Sequence, residues 1–232
     1  RLYRISRMDI TNKNGGVTKQ RFLLLKRRFG PLFATQFLGA FNDNFFKNAL
    51  IVLFTFVLAS SPDETLVLIN LASALFILPF FLFSPIAGQL ADKYEKSSLI
   101  QYIKLGEIFI MVLAALSLWL ESVYAMLFVL FLLGTQSTFF GPTKYSLLPQ
   151  HLTPDELLDG NAYVEGGTFL AILMGTLFGG WLAADSVSRD WLGYGGVFIA
   201  LIGWLASRGI PNAPSVATDL RLDWNLYRGI LG

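Results

Sequence analysis

An all-α membrane protein with six transmembrane helices is predicted by three observations: the composition, a series of unbroken apolar runs, and the positions of the lysines and arginines. Of 232 residues, 54% are hydrophobic and only 15% charged, against about 25% charged in an ordinary soluble chain. Phe alone occurs 21 times, far more apolar surface than a disordered chain carries. There is no Cys and a single His. That excludes disulfide scaffolds, thiolate metal sites and Cys nucleophiles, and leaves little room for a His-based site. No cofactor or metal is expected.

A helix that crosses a bilayer takes about 20 mostly apolar residues. Six stretches qualify or nearly so: Phe29–Leu58, Leu66–Ala87, Leu99–Leu120, Val123–Phe140, Ala162–Ala184 and Trp191–Ser207. The second carries Pro79 and Pro85, which a helix inside a bundle tolerates. The runs are continuous rather than alternating, which excludes a β-barrel.

Basic residues favour the cytoplasmic side of a membrane. Nine of the 18 precede the first span, and a cytoplasmic N-terminus also places Lys93, Lys96, Lys144, Arg208, Arg221 and Arg228 inside. Only Arg189 falls outside. Both ends are therefore expected in the cytoplasm. Residues 1–28 form a basic cytoplasmic segment, 29–207 the six-helix bundle, and 208–232 the start of a cytoplasmic loop. The first apolar stretch is not a cleavable signal, because it contains Asp43 and Lys47 and is longer than the roughly 7–15 apolar residues such signals use. Gln20–Phe29 reads as a basic amphipathic approach to the membrane face. Beside a membrane span, topology and anionic lipid explain the basic N-terminus better than nucleic acid does.

Asp43, Lys47, Lys104, Glu107 and Glu165 lie inside the apolar spans. Each costs at least about 2.5 kcal/mol at a helix centre, so each is expected to face protein or water. Asp43 and Lys47 are spaced to share a helix face and pair, as are Lys104 and Glu107. Lys104 is close enough to the inner face to snorkel instead. Asp43 stands in Asn42-Asp43-Asn44, three consecutive polar residues that packing alone does not require. They offer donors and acceptors to a polar ligand or a gating partner. Glu165 either joins such a site or sits at headgroup level.

Gly88-Gln89-Leu90-Ala91-Asp92-Lys93-Tyr94-Glu95-Lys96 connects spans two and three. Its small residues would admit a close helix approach, and Asp92 would cap a helix or hold a breakable gate contact. In span five, Gly175 and Gly179 form a small-xxx-small face. Residues 141–160 form the next connection, in which Thr153-Pro154-Asp155-Glu156 is a capping box with Pro at the first helical position. A short interfacial helix is expected to start there, and His151 to lie in an exposed loop. Lys144 near the inner leaflet would either meet a headgroup phosphate or fix topology. Acyl-transfer elbows, nucleotide loops and metal-ligand spacings do not occur.

Gly88 through Lys93 with the basic Lys96 resembles the signature loop of the major facilitator superfamily, departing from it at Glu95, where Gly is common, and at Ser97, where a second basic residue is common. Gln36-Phe37-Leu38-Gly39-Ala40-Phe41-Asn42-Asp43-Asn44 resembles the Q-F-x-x-A-F-x-D-N of that superfamily's bacterial lysophospholipid transporters. Gly141-Pro142-Thr143-Lys144-Tyr145 resembles their P-x-K-Y. Leu157 to Asn161 with Glu165, the glycine-bearing stretch from Leu173 to Ala183, and Trp224-Asn225-Leu226 continue the likeness.

The resemblance implies the N-terminal half of a twelve-helix facilitator, built as a 3+3 inverted repeat with its cavity between the halves. It implies import of lysophosphatidylethanolamine-like lipid to the cytoplasmic leaflet of a bacterial inner membrane. Reacylation by a fused or separate acyltransferase would follow. Asp43 and Asn44 would take the head's amine or hydroxyls and Lys144 its phosphate, with Glu107, Lys104 and Glu165 in support. Gly88, Asp92 and Lys96 would form the gate. The implied partners are the lipid substrate, membrane lipid, a second six-helix half and the acyltransferase. Two other readings stay open: an exporter of another small amphiphile or drug, and a membrane platform that docks an acyltransferase.

Overall fold

A computed structural model describes residues 23–184, 190–220 and 222. Six long helices run through it: α1 Gly30–Leu53, α2 Pro62–Lys93, α3 Lys96–Trp119, α4 Val123–His151, α5 Pro154–Ala184 and α6 Asp190–Ser207. A single π-helical turn, Phe54–Leu58, extends α1. Strands are absent among the described residues. By length and composition α2, α3, α4 and α5 can each cross a membrane. Helix α1 is more polar, with Asn42, Asp43, Asn44, Lys47 and Asn48 along it, and α6 is shorter.

Helix starts follow local chemistry. Pro62 opens α2 behind Ser61, whose Oγ accepts the Glu64 N–H at 3.2 Å while Glu64 accepts the Ser60 N–H at 2.7 Å. On α5 half of the expected box is made: Glu156 accepts the Thr153 N–H at 3.1 Å and the Thr153 hydroxyl at 3.0 Å, while the Glu156 N–H goes to the Thr153 carbonyl at 2.9 Å. The Ser61 hydroxyl satisfies an amide that the first turn of α2 leaves without a partner, and the two glutamates tie back the chain just ahead of each helix.

Three boundaries differ from the sequence expectation. Helix α4 does not end at Phe140 but runs through Pro142 and Pro149 to His151, so Lys144 and Tyr145 are helical and the connection to α5 is only residues 152–153. In place of a short interfacial helix before span five, one continuous helix starts at Pro154. Gly88 through Lys93 is the last turn and a half of α2, leaving only Tyr94 and Glu95 as the link to α3.

Packing joins α1 to α5 and α6, α2 to α4, and α3 to α4 and α6. Exchanging α1 with α4, α2 with α5 and α3 with α6 maps this set of pairs onto itself, as an inverted 3+3 repeat requires. Glycines permit the tight crossings. A Cβ on Gly175 or Gly179 would strike the Phe41 or Phe45 carbonyl oxygen of α1, and one on Gly134 would strike that of Phe76 on α2.

The core has two apolar clusters. One is built around Phe46, Leu50, Met111, Met126, Leu130 and Leu133. The other gathers Phe29, Leu32, Ile100, Leu147, Leu148 and Leu152 with Ile210 and Ala213 from beyond α6. Along α1, α3 and α4 alike, a polar layer lies between them: Gln36 to Asn44, Lys104 and Glu107, and Gln136 to Thr138.

Candidate functional site

The polar layer borders a cleft of about 320 Å³ lined from α1, α2, α3, α4 and α5. Its lining combines polar Gln36, Asp43, Asn44, Lys104 and Ser137 with aromatic Phe76, Phe80 and Phe140. Such a concave, mostly apolar site with a few convergent polar groups is what a small amphiphile needs.

Lys104 and Glu107 anchor the layer, 2.5 Å apart, each with a side chain only 1% exposed. Glu107 also accepts from Asn42 Nδ2 at 3.1 Å and Gln136 Nε2 at 3.0 Å. The carboxylate thus has donors on α1, α3 and α4. Lys104 Nζ lies 4.7 Å from the centre of the Phe140 ring, a cation–π contact. Gly39 makes room for it: a Cβ there would collide with Lys104 Nζ. Lys104 is therefore fixed inside and does not snorkel.

Asp43 and Lys47 do not pair as their spacing allowed. Ser137 donates its hydroxyl to Asp43 Oδ2, and Lys47 Nζ instead stands 5.0 Å over the Phe76 ring. Among the described residues, Asp43 Oδ1 is buried with no hydrogen-bond partner, and so is Asn42 Oδ1. Buried polar atoms are nearly always satisfied, so an unpaired carboxylate oxygen on a residue that lines the cleft marks a place for a donor. Ser137 Oγ also lies 3.2 Å from Gln136 Oε1. With one hydrogen it serves one acceptor at a time.

The remaining candidates spread along the cleft. Asn44 lines it but spends its amide on the Ala40 carbonyl, at 2.8 Å. Lys144 lines it half-buried, 4.8 Å over the Tyr145 ring. Glu165 is exposed and accepts the Tyr145 hydroxyl. Gln36 Oε1 takes the Thr168 hydroxyl at 3.0 Å, coupling α1 to α5. Gln136, Ser137 and Thr168 escape a search for charges. The polar run Thr135-Gln136-Ser137-Thr138 inside span four is the signal that points to two of them.

The gating set lies apart, at the α2–α3 junction. Gly88 has nothing within 4 Å of a Cβ built on it, so no close approach is made there among the described residues. Asp92 has an exposed side chain, and its backbone oxygen accepts from Val216 and Ala217. Lys96 is fully buried and donates to the Pro214 carbonyl at 3.1 Å. Residues 1–22 and Trp224-Asn225-Leu226 lie outside the described residues.

Comparison with known proteins bears on the family of the chain. A protein from Photorhabdus laumondii named a lysophospholipid transporter is 28% identical over 209 residues, covering 88% of this chain and 48% of its own length. Like-named proteins from Citrobacter koseri and Escherichia coli strain SE11 are 30% identical over 150 residues and 26% over 171. They cover 65% and 72% of this chain, and 35% and 40% of their own lengths. The chain thus spans about half or less of the curated relatives it matches. The family model for the Major Facilitator Superfamily matches residues 32–223, most of the chain. With a polar layer buried in an all-helical bundle and a family match of that extent, the chain belongs to the major facilitator superfamily, a family of transporters rather than enzymes.

Proposed function

We propose that this chain forms the N-terminal six-helix half of a lysophospholipid transporter in a bacterial inner membrane, with both ends cytoplasmic. A second six-helix half completes the cavity. Alternating access carries the lipid to the cytoplasmic leaflet, where an acyltransferase restores its second chain.

The observation that supports this reading is the buried, unpaired Oδ1 of Asp43, a residue that lines a cleft shared with Phe76, Phe80 and Phe140. A lysophospholipid presents the matching pair of surfaces, a charged head and one acyl tail. Asp43 takes the amine or a hydroxyl through Oδ1, with Asn44 beside it. Lys144, with its ammonium over Tyr145, takes the phosphate toward the cytoplasmic end. Lys104 and Glu107 support the wall, since each is spent on the other. Glu165 holds Tyr145 at the cleft mouth. Asp92 with Gly88 and Lys96 steadies one gate state.

The membrane placement is supported by exposed Trp119, Tyr124, Trp181, Trp191 and Tyr194 at the α3–α4 and α5–α6 ends, where an interfacial aromatic belt belongs. The test is uptake of labelled lysophosphatidylethanolamine by cells lacking their own transporter, with the full-length gene and its Asp43→Asn variant at matched expression. Uptake by wild type and its loss in the variant is expected. No uptake by a well-folded wild type rejects the reading.

A further inference from the structure

Residues 209–217 have neither helical nor alternating apolar pattern, yet they are tightly bound to the cytoplasmic end of the bundle. Ala213 is fully buried and Ile210 is 4% exposed, both within the second apolar cluster. The backbone exchanges bonds with the α2–α3 junction: Lys96 N–H donates to the Ala213 carbonyl at 2.9 Å, and Ala213 N–H donates to Glu95 Oε1 at 2.7 Å. The Pro214 carbonyl accepts from Lys96 Nζ at 3.1 Å and Gln150 Nε2 at 3.2 Å. His151 Nε2 lies 3.4 Å from the Asn212 carbonyl oxygen. Val216 and Ala217 N–H groups converge on the Asp92 carbonyl at 3.0 and 3.1 Å. Pro211 and Pro214 stiffen the segment by fixing φ.

The two departures from the superfamily's signature loop explain each other here. Glu95 Oε1 accepts the Ser97 N–H at 3.0 Å and its hydroxyl at 2.7 Å, and Oε2 accepts the Ser98 N–H at 2.7 Å. Ser97 and Ser98 hold the carboxylate where it meets Ala213. A Gly at 95 has no acceptor to offer, and a basic residue at 97 would not fill the place of the small hydroxyl. Burial pushes the Glu95 carboxyl up, but hydrogen bonds from Ser98, Ala213 and Ser97 outweigh it and hold the group at about 2. The acceptor is therefore charged throughout the physiological range.

We propose that residues 209–217 are a strap that docks in fixed register on the α2–α3 junction and the end of α4, and that Glu95 is the positioning residue that seats it. The strap makes the gate loop and the chain beyond α6 one mechanical unit. Displacement of that loop is transmitted directly to whatever follows α6. None of this depends on the substrate, so it stands or falls separately from lipid transport.

The test uses a cysteine-free full-length protein in membranes, with Cys at 151 and 212 and a short thiol cross-linker. A second pair at 48 and 176, where Asn48 Nδ2 and Thr176 Oγ1 lie 3.0 Å apart across α1 and α5, reports that the bundle is folded. With Glu95 the strap pair cross-links. Glu95→Ala removes the acceptor. Glu95→Asp keeps a good cap for α3 but draws the carboxylate back from Ala213. Both are expected to lower the strap yield about tenfold, the scale of one hydrogen bond to a charged acceptor, with the 48–176 yield unchanged. Glu95→Gln keeps an oxygen for Ala213 and restores most of the yield. Equal cross-linking in the Ala or Asp variant, or a Gln variant as poor as Ala, overturns the proposal.

Discussion

Gly39 on α1 and Lys104 on α3 occupy one space: the missing Cβ of the glycine is where the lysine ammonium sits. That vacancy lets a cation that would otherwise stretch to the membrane surface turn inward, to Glu107 at 2.5 Å. Glu107 in turn gathers Asn42 and Gln136. The layer that ties α1, α3 and α4 together therefore starts from an absent methyl group.

Breaking this pair is costly because both charges are buried. Removing one partner leaves the other uncompensated, at about 3–5 kcal/mol. Glu107→Gln and Lys104→Met are each expected to lower the thermal midpoint of the purified full-length protein. The double variant should recover more than half of the loss, which a double-mutant cycle reads directly.

Ser137→Ala tests the hydroxyl between Asp43 and Gln136. It strips Asp43 Oδ2 of its donor, and a buried acceptor left unpaired costs about 1–3 kcal/mol. Ser137→Thr keeps the hydroxyl and should retain most of the stability. Thermal melts of the two variants side by side check this.

Glycines in α5 are not equivalent. Gly179 lies against the Phe45 backbone, whereas Gly166 has nothing within 4 Å. Gly179→Val is expected to force α1 and α5 apart, with overpacking costing about 1–3 kcal/mol or more. Gly166→Ala should be neutral. Folded yield in detergent separates them.

Glu156 fastens the N-terminal approach, with Lys26 at 2.9 Å and Arg28 at 2.6 Å. The Lys26 hydrogen bond, then the Thr153 N–H and hydroxyl and the Arg28 charge, hold its carboxyl at about 2 instead of 4.5. A depressed folded value means that its contribution is present above pH 4.5 and is lost as pH falls toward 2. Glu156→Gln should therefore reduce protection of the residue 26–30 amides at pH 7, and the difference from wild type should shrink as pH drops below 4.5. Hydrogen exchange across pH 3–7 measures it.

Much of the bundle is legible in the sequence because apolar run length and caps are local properties. Thr153-Pro154 announces a helix start within a residue, whereas α2 begins at Pro62, four residues ahead of the apolar run expected from Leu66. The end of α4 is not legible: the apolar run stops at Phe140, but packing among Leu147, Leu148 and Phe29 carries the helix on through Pro142 and Pro149 to His151. Spacing pairs Lys104 with Glu107 correctly, yet the same logic fails for Asp43 and Lys47. A ring on α2 and a hydroxyl on α4 compete for them, and neither neighbour is visible along α1. The strap leaves no trace in periodicity, since backbone bonds and scattered side chains, Glu95, Lys96, Gln150 and His151, hold it.

The most direct test of the central claim uses the full-length protein in liposomes with headgroup-labelled lysophosphatidylethanolamine supplied on one side. Wild type should move the label to the opposite leaflet, and Asp43→Asn, matched for folded protein, should not. Transport by the Asp43→Asn variant at the wild-type rate would contradict the role given to the unpaired oxygen of Asp43. Absence of transport by folded wild type would contradict lysophospholipid transport itself.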